Sequence, residues 1–235
     1  LGLGYGRYCE RPVGIHLKDL LQHLYIIGQT GTGKSTLIAR MALDQARQGI
    51  GFCLIDPHGD LALALHQRLG LAHIYWDISD PESPLGYNPL TRVSEPLRPL
   101  VASGLIDTLK KQWSDAWGVR MEHLLRYALL ALLAQPETDL RDIIRLYFDK
   151  EFRRLALSRV ADPQVLDFWF KEFPSMNYKS AFDGVAPIAN KLGALLAHPI
   201  VRRALCEPKQ PLRFRQIMDE VQILIINLAK GRIGA

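Results

Sequence analysis

The 235-residue chain contains no run of 18 apolar residues, and no basic start followed by an apolar core. It therefore offers neither a membrane-spanning helix nor a signal peptide. The longest apolar stretch, around Leu124 to Leu133, is interrupted by Arg126 and is too short to span. Cysteine is scarce: Cys9, Cys53 and Cys206 are odd in number, far apart and without a C-x-x-C pair. They read as reduced thiols of a cytosolic protein, which excludes a disulfide framework and a cysteine-built zinc site. The seven histidines show no H-E-x-x-H or other ligand spacing. Internal repeats and low-complexity segments are also missing, and a composition of 48% apolar and 23% charged residues excludes disorder and collagen-like structure. What remains is a globular chain long enough for a substantial core.

The net charge of +5 is unevenly spread. Residues 1–100 carry 9 Lys/Arg against 9 Asp/Glu, whereas residues 101–235 carry 20 against 15. Two readings stay open for this basic lobe: a polyanion-facing surface, or a solvated helical face. Basic pairs occur at Lys110-Lys111, Arg153-Arg154, Arg202-Arg203 and Arg213/Arg215. Trp113 and Trp117 are spaced either for base stacking or for core packing, and the core reading is the simpler.

Hydropathy patterning predicts an α/β fold. HLYIIG (23–28), IGFCLID (50–56) and HIYW (73–76) read as buried strands. Between them, residues 34–48 and 60–69 show helical periodicity, stopped by Gly49 and Gly70. Short connections between alternating strands and helices imply parallel pairing. Turn residues crowd 80–98, and 100–205 is then helical in character, with VRMEHLLRYALLALLAQ the clearest amphipathic segment. VQILIINL (221–228) returns to a buried-strand pattern. The predicted organisation is a nucleotide-binding α/β core over 1–95, an all-helical insertion over 96–205 and a return to the core over 206–235.

The chemistry centres on Gly28-Gln29-Thr30-Gly31-Thr32-Gly33-Lys34-Ser35, a full match to G-x-x-x-x-G-K-[ST] between a strand and a helix. Its glycines let successive N–H groups converge on phosphate oxygens, and the following helix adds its dipole. Lys34 is expected to meet the β- and γ-phosphates, with the Ser35 hydroxyl on Mg²⁺. Asp56-Pro57-His58-Gly59-Asp60 ends the next strand, and three readings of Asp56 stay open. It is a Walker B-like acid, part of a GTPase-type D-x-x-G element, or a strand-end residue before a helix that Asp60 caps. The GTPase reading is disfavoured because Asn190-Lys191-Leu192-Gly193 has Gly where guanine recognition needs an acid. An L-S-G-G-Q-like transporter signature is absent as well.

HLYIIGQTGTGKST, GFCLIDPHGDLA, PLGYNPL, WGVRMEHLLRYALLALL and ILIINLAKGRIG follow one another in this order. Together they resemble the FtsK–HerA superfamily of P-loop ATPases, and within it the type IV secretion and conjugative coupling proteins of the TraG and TrwB kind, over about 16–235. The resemblance implies a RecA/ASCE-like, mostly parallel sheet flanked by helices, with a helical insertion. It implies ATP and Mg²⁺ bound by Gly28 to Thr36, DNA as partner, a homo-hexameric ring and contact with secretion-apparatus proteins. It further implies a cytoplasmic location, at the inner face of the membrane through a segment outside this chain, and an arginine supplied by a neighbouring subunit. Arg232, Arg202 and Arg203 are the candidates for that arginine. A HerA-type DNA-processing or defence motor, and a nucleotide-gated assembly module with negligible turnover, are the alternatives. Family members carry their Walker B acids after the NL-x-K-G-R stretch, so the chain reads as a fragment in which Asp219-Glu220 is not that pair. Slow or absent ATPase activity is expected of residues 1–235 alone.

Overall fold

The computed structural model describes residues 2–5, 10–16, 18–70, 73–91, 93–176 and 178–233, which leaves Cys9 outside the described residues. In chain order, strands β1 (Gly2–Tyr5) and β2 (Glu10–Val13) precede helix α1 (Lys34–Arg47). Strand β3 (Cys53–Asp56), helix α2 (Asp60–Leu69), strand β4 (Ile74–Asp77) and strand β5 (Leu85–Gly86) follow. The helical stretch comprises α3 (Arg98–Gln112), α4 (Val119–Leu132), α5 (Arg141–Phe148), α6 (Lys150–Leu157), α7 (Pro163–Asp167), α8 (Phe173–Ser175), α9 (Tyr178–Ala197) and α10 (Pro199–Cys206). Strand β6 (Gln210–Pro211), helix α11 (Phe214–Asp219), strand β7 (Leu224–Asn227) and helix α12 (Lys230–Ile233) complete it. These elements form two compact units, residues 1–83 with 213–235 and residues 84–212.

The first unit is built on three parallel strands in the order β3-β7-β4. All four residues of β7 are buried, as a central strand of a parallel sheet requires, and its apolar run of Leu224, Ile225 and Ile226 follows from that position. β1 and β2 form a separate antiparallel pair. Helices α1 and α2 cover one face of the sheet: Ala39 and Ala42 of α1 and Ala62 and Leu65 of α2 pack around Ile225, with Leu54 and Tyr75 beside it. The small Ala62 lets α2 approach β3 and β7 closely, and α1 packs against α2. The expected mixed α/β architecture, with a parallel sheet flanked by helices, is what the chain adopts.

One predicted strand is not one. Residues 22–29 have no sheet assignment, and Leu24, Tyr25 and Ile27 are exposed. An apolar, β-branched run favours extended backbone, but a strand exists only where a neighbour completes its hydrogen bonds, and no described strand lies along this one.

The second unit is helical and closes its own core. Leu124, Leu125, Ala128, Leu129 and Leu132 of α4 are buried, the stripe expected from their spacing, with α3, α5, α6, α7 and α9 packed around them. Polar groups inside this core are paired. Tyr147 donates its hydroxyl to the Leu124 carbonyl at 2.6 Å, and Gln135 bridges the carbonyls of Ala131 and Ala156 at 2.8 and 2.9 Å. The helical unit runs from Pro84 to Leu212 because β5 and β6 pair with each other and Tyr87 donates its backbone N–H to the Ala204 carbonyl. Those bonds draw the PLGYNPL segment and residues 206–212 into it. A π-helical turn spans Phe168–Glu172, where Glu172 reaches His123 at 2.7 Å.

Candidate functional site

The position of the phosphate loop follows from connectivity. Only a few residues join the end of α1 to the start of β3, so α1 runs antiparallel to β3 and its N-terminus lies at the carboxyl edge of the strands. That edge is where open α/β sheets bind ligands. Gly31 and Gly33 both adopt left-handed backbone, with φ of 85° and 89°, which other residues reach only with strain. A Cβ at either would meet nothing within 4 Å, so the space beside both glycines is open. Gly28 is different: a Cβ there would come within 2.5 Å of Thr32 Oγ1. Thr32 in turn bonds the Gln29 carbonyl at 2.7 Å and braces the loop.

Lys34 directs its ammonium inward, onto the carbonyls of Gly28 and Gln29 at 2.7 and 2.6 Å. No side chain caps α1, so its first-turn amides, those of Lys34, Ser35 and Thr36, are presented without a side-chain partner. Ser35 and Thr36 are exposed beside them. Free amides, an ammonium held only by its own loop and an exposed hydroxyl are the donor set a triphosphate and its hard divalent cation require. The residues fit both groups. Gly28 to Thr36 run without a break through this loop and into the first turn of α1.

The strand register sets a second row of residues at the same edge. Asp56, Asn227 and Asp77 are cross-strand partners, each at the last position of its strand and each facing the α1–α2 side. Both oxygens of Asp56 are engaged: Oδ1 accepts from His58 N–H at 3.0 Å and Oδ2 from Ala62 N–H at 3.0 Å. The carboxylate thus caps α2 in place of Gly59, whose φ of 96° turns the chain into the helix. Burial alone would raise the Asp56 carboxyl, but the backbone donors of Ala62 and His58 outweigh it and hold it below its ordinary range. This geometry matches the strand-end reading of Asp56 more closely than a metal-polarising acid, with Asp56 rather than Asp60 making the cap.

Asn227 and Asp77 did not stand out in the sequence. Asn227 is 7% exposed and donates to Tyr75 Oη and Asp77 Oδ2, both at 3.2 Å, while its Oδ1 accepts from Ala229 N–H at 2.9 Å. The available signal was that CLID, IYWD and LIIN each end on a polar residue. Only the register reveals that these three ends lie side by side.

The arginine candidates separate. Arg202 and Arg203 lie on α10 of the helical unit, where Arg202 donates to the Leu196 carbonyl at 3.3 Å. Arg232 lies exposed on α12 of the sheet unit. Several residues of the basic clusters are engaged within the chain. Lys110 pairs with Glu122, Arg154 with Glu151 and Arg215 with Asp219, while Arg153 donates to the carbonyls of Leu146 and Tyr147. Trp113 and Trp117 pack against the helical core, and Trp117 donates its indole N–H to Glu122 at 2.8 Å. Among the described residues, no helix is long and apolar enough to cross a membrane, and no group of three His, Cys, Asp or Glu is placed to hold a metal.

A family model described as the central domain of helicase HerA matches residues 4–151, more than half of the chain and inclusive of the whole phosphate loop. No curated protein and no solved structure gives a match. The chain belongs to the HerA central-domain family, and with it to the FtsK–HerA superfamily of ATP-driven P-loop motors.

Proposed function

We propose that the chain is the ATP-binding motor domain of a machine that moves DNA, acting as a homo-hexameric ring in a type IV secretion or conjugation-like apparatus. The observation that carries this reading is the phosphate loop: open at Gly31 and Gly33, lined by the first amides of α1, and holding Lys34 inward on two backbone carbonyls. The coupling-protein assignment is supported by the order of the DPHGD, NPL and NLAKGR segments.

In this mechanism the Lys34 ammonium exchanges its bonds to Gly28 O and Gln29 O for oxygens of the β- and γ-phosphates. The loop amides hold those phosphates in line. Ser35 would hold the Mg²⁺, which neutralises charge on the phosphates when bound. Asp56 keeps the DPHGD turn and α2 in register with the loop instead of touching water or metal.

The engagement of both Asp56 oxygens favours one second reading, a nucleotide-gated assembly module with negligible turnover. Phosphate release by the intact protein, measured with and without duplex DNA, separates the two. The motor reading expects release that DNA stimulates several-fold and that Lys34→Ala abolishes. Ring assembly on Mg²⁺-ATP without phosphate release, with or without DNA, would overturn it.

A further inference from the structure

The segment after β7 is tied down with unusual completeness. Leu228 N–H donates to Asp56 O at 3.0 Å and Lys230 N–H to Pro57 O at 2.9 Å, so the backbone of 228–230 is joined to the DPHGD turn. On the other side, Ile78 N–H donates to Asn227 O at 3.1 Å. The Asn227 side chain fills the centre. Its amide meets two partners on β4, its carbonyl caps Ala229, and it leaves no room for a Cβ at Gly59, which would collide with Asn227 Oδ1. Both N–H donors and one of the two oxygen lone pairs of the amide are used. Tyr75, one of those partners, is itself held by His66, stacked on it at 4.0 Å between ring centroids.

The clamp imposes a strained backbone. Ala229 sits at φ 45°, a left-handed conformation that a non-glycine residue adopts only when its surroundings enforce it. Immediately beyond it, Lys230 and Arg232 are exposed, and neither forms an ion pair or side-chain hydrogen bond among the described residues. A buried amide is a costly way to end a strand unless every group is paired. Here it delivers two exposed cations from the carboxyl edge of a parallel sheet, the edge that faces ligands.

We propose that the Lys230–Arg232 turn is a second phosphate-contacting element, and that Asn227 is the positioning residue that latches it. The ligand chemistry is a phosphate ester, carried either by a nucleotide or by a DNA backbone. The proposal rests on the reading above that the protein binds such ligands, and the test keeps the two apart.

Binding of Mg²⁺-ATP, Mg²⁺-ADP and duplex DNA is measured for the full chain, for Lys34→Ala, for the double variant Lys230→Ala/Arg232→Ala and for Asn227→Ala, alongside each melting temperature. The double variant is expected to lose about tenfold in affinity for one ligand, the size of one lost charge-assisted contact, with its melting temperature unchanged. Loss for ATP but not ADP identifies a terminal nucleotide phosphate. Loss for DNA, with the salt dependence of binding falling by about one per cation removed, identifies the nucleic-acid backbone. Asn227→Ala, assayed well below its melting temperature, is expected to reproduce the same selective loss, which a merely structural residue would not. Should that variant fail to fold, Tyr75→Phe removes one latch partner while keeping the ring that stacks on His66, and a two- to threefold loss of the same ligand is expected (roughly half of one neutral hydrogen bond). A chain that binds neither nucleotide nor DNA refutes the functional reading itself. A chain that binds, loses nucleotide with Lys34→Ala, yet keeps every affinity within twofold in the arm and latch variants refutes only the present inference.

Discussion

Replacing Asp56 by alanine tests whether this carboxylate builds the site or works in it. The substitution removes the acceptor from two backbone N–H groups, those of His58 and Ala62, each now at 3.0 Å from an oxygen. The Ala62 bond is buried and would be left unmade, whereas His58 N–H lies nearer solvent and regains water. Bonds to a charged acceptor contribute about 1.5–3 kcal/mol each, so a loss of roughly 2–4 kcal/mol is expected from the sheet unit. For a chain of this length that corresponds to a fall in melting temperature of roughly 5–15 °C. Thermal unfolding followed by circular dichroism measures it, and Mg²⁺-ATP titration at low temperature supplies the second readout. Affinity is expected to stay within about threefold, because the carboxylate touches the turn and not the nucleotide. The pH dependence carries the same sign. The folded carboxyl lies below its ordinary value of 3.8, so its stabilisation is complete above that pH and is lost as pH falls through the lower, folded value. The gap in melting temperature between wild type and Asp56→Ala should therefore narrow below about pH 4. An unchanged melting temperature combined with lost Mg²⁺-ATP affinity would refute this account and return Asp56 to the metal.

Gly184→Ala should destabilise the helical unit although it improves helix propensity. The new Cβ would collide with buried Leu124 and press on Arg120, and overpacking of about 1–3 kcal/mol exceeds a propensity gain of at most ~1 kcal/mol, which urea unfolding will register. Tyr147→Phe removes the donor to the Leu124 carbonyl inside the same core and should cost about 1 kcal/mol in that assay without altering nucleotide binding. Burial, and then the neighbouring His73, hold the His66 imidazole below its ordinary value of 6.5. The folded state thus binds fewer protons than the unfolded one, and stability should fall as pH drops from 6.5. Replacing His66 by Gln should flatten that part of the profile.

The form of the Gly28–Lys34 loop was legible because it is a matter of local backbone: two left-handed glycines, followed by a lysine and a hydroxyl at fixed spacing. The buried stripe of α4 was legible for the same reason, since its period of 3.6 is written in adjacent turns. Pairing was not. HLYIIG carries every local mark of a strand, yet it pairs with no described strand and all of it but Ile26 is exposed, because a ladder depends on a neighbour that local sequence does not specify. Nor could the order β3-β7-β4 be read, as β7 enters from more than a hundred residues away to lie between two strands that follow one another in sequence. That insertion is what brings Asp56, Asn227 and Asp77 into one row, so the importance of Asn227 emerges only with the register. For Asp60 the local pattern was misleading: an acid at the first position of a helix suggested a cap, but a turn at Gly59 lets Asp56, four residues earlier, reach the free amides first.

The most direct test of the central claim is a calorimetric titration of Mg²⁺-ATP into the wild-type chain and into Lys34→Ala. Lys34 opens α1, and its side chain bonds only exposed loop carbonyls that water can satisfy, so its removal should leave the melting temperature within about 2 °C. Because its ammonium is the one cation built into the loop, affinity should fall by about a hundredfold or more, the equivalent of two charge-assisted bonds. Saturable binding by the wild type that Lys34→Ala eliminates is the predicted result. Absence of binding by the folded wild type, or equal binding by both proteins, would contradict it.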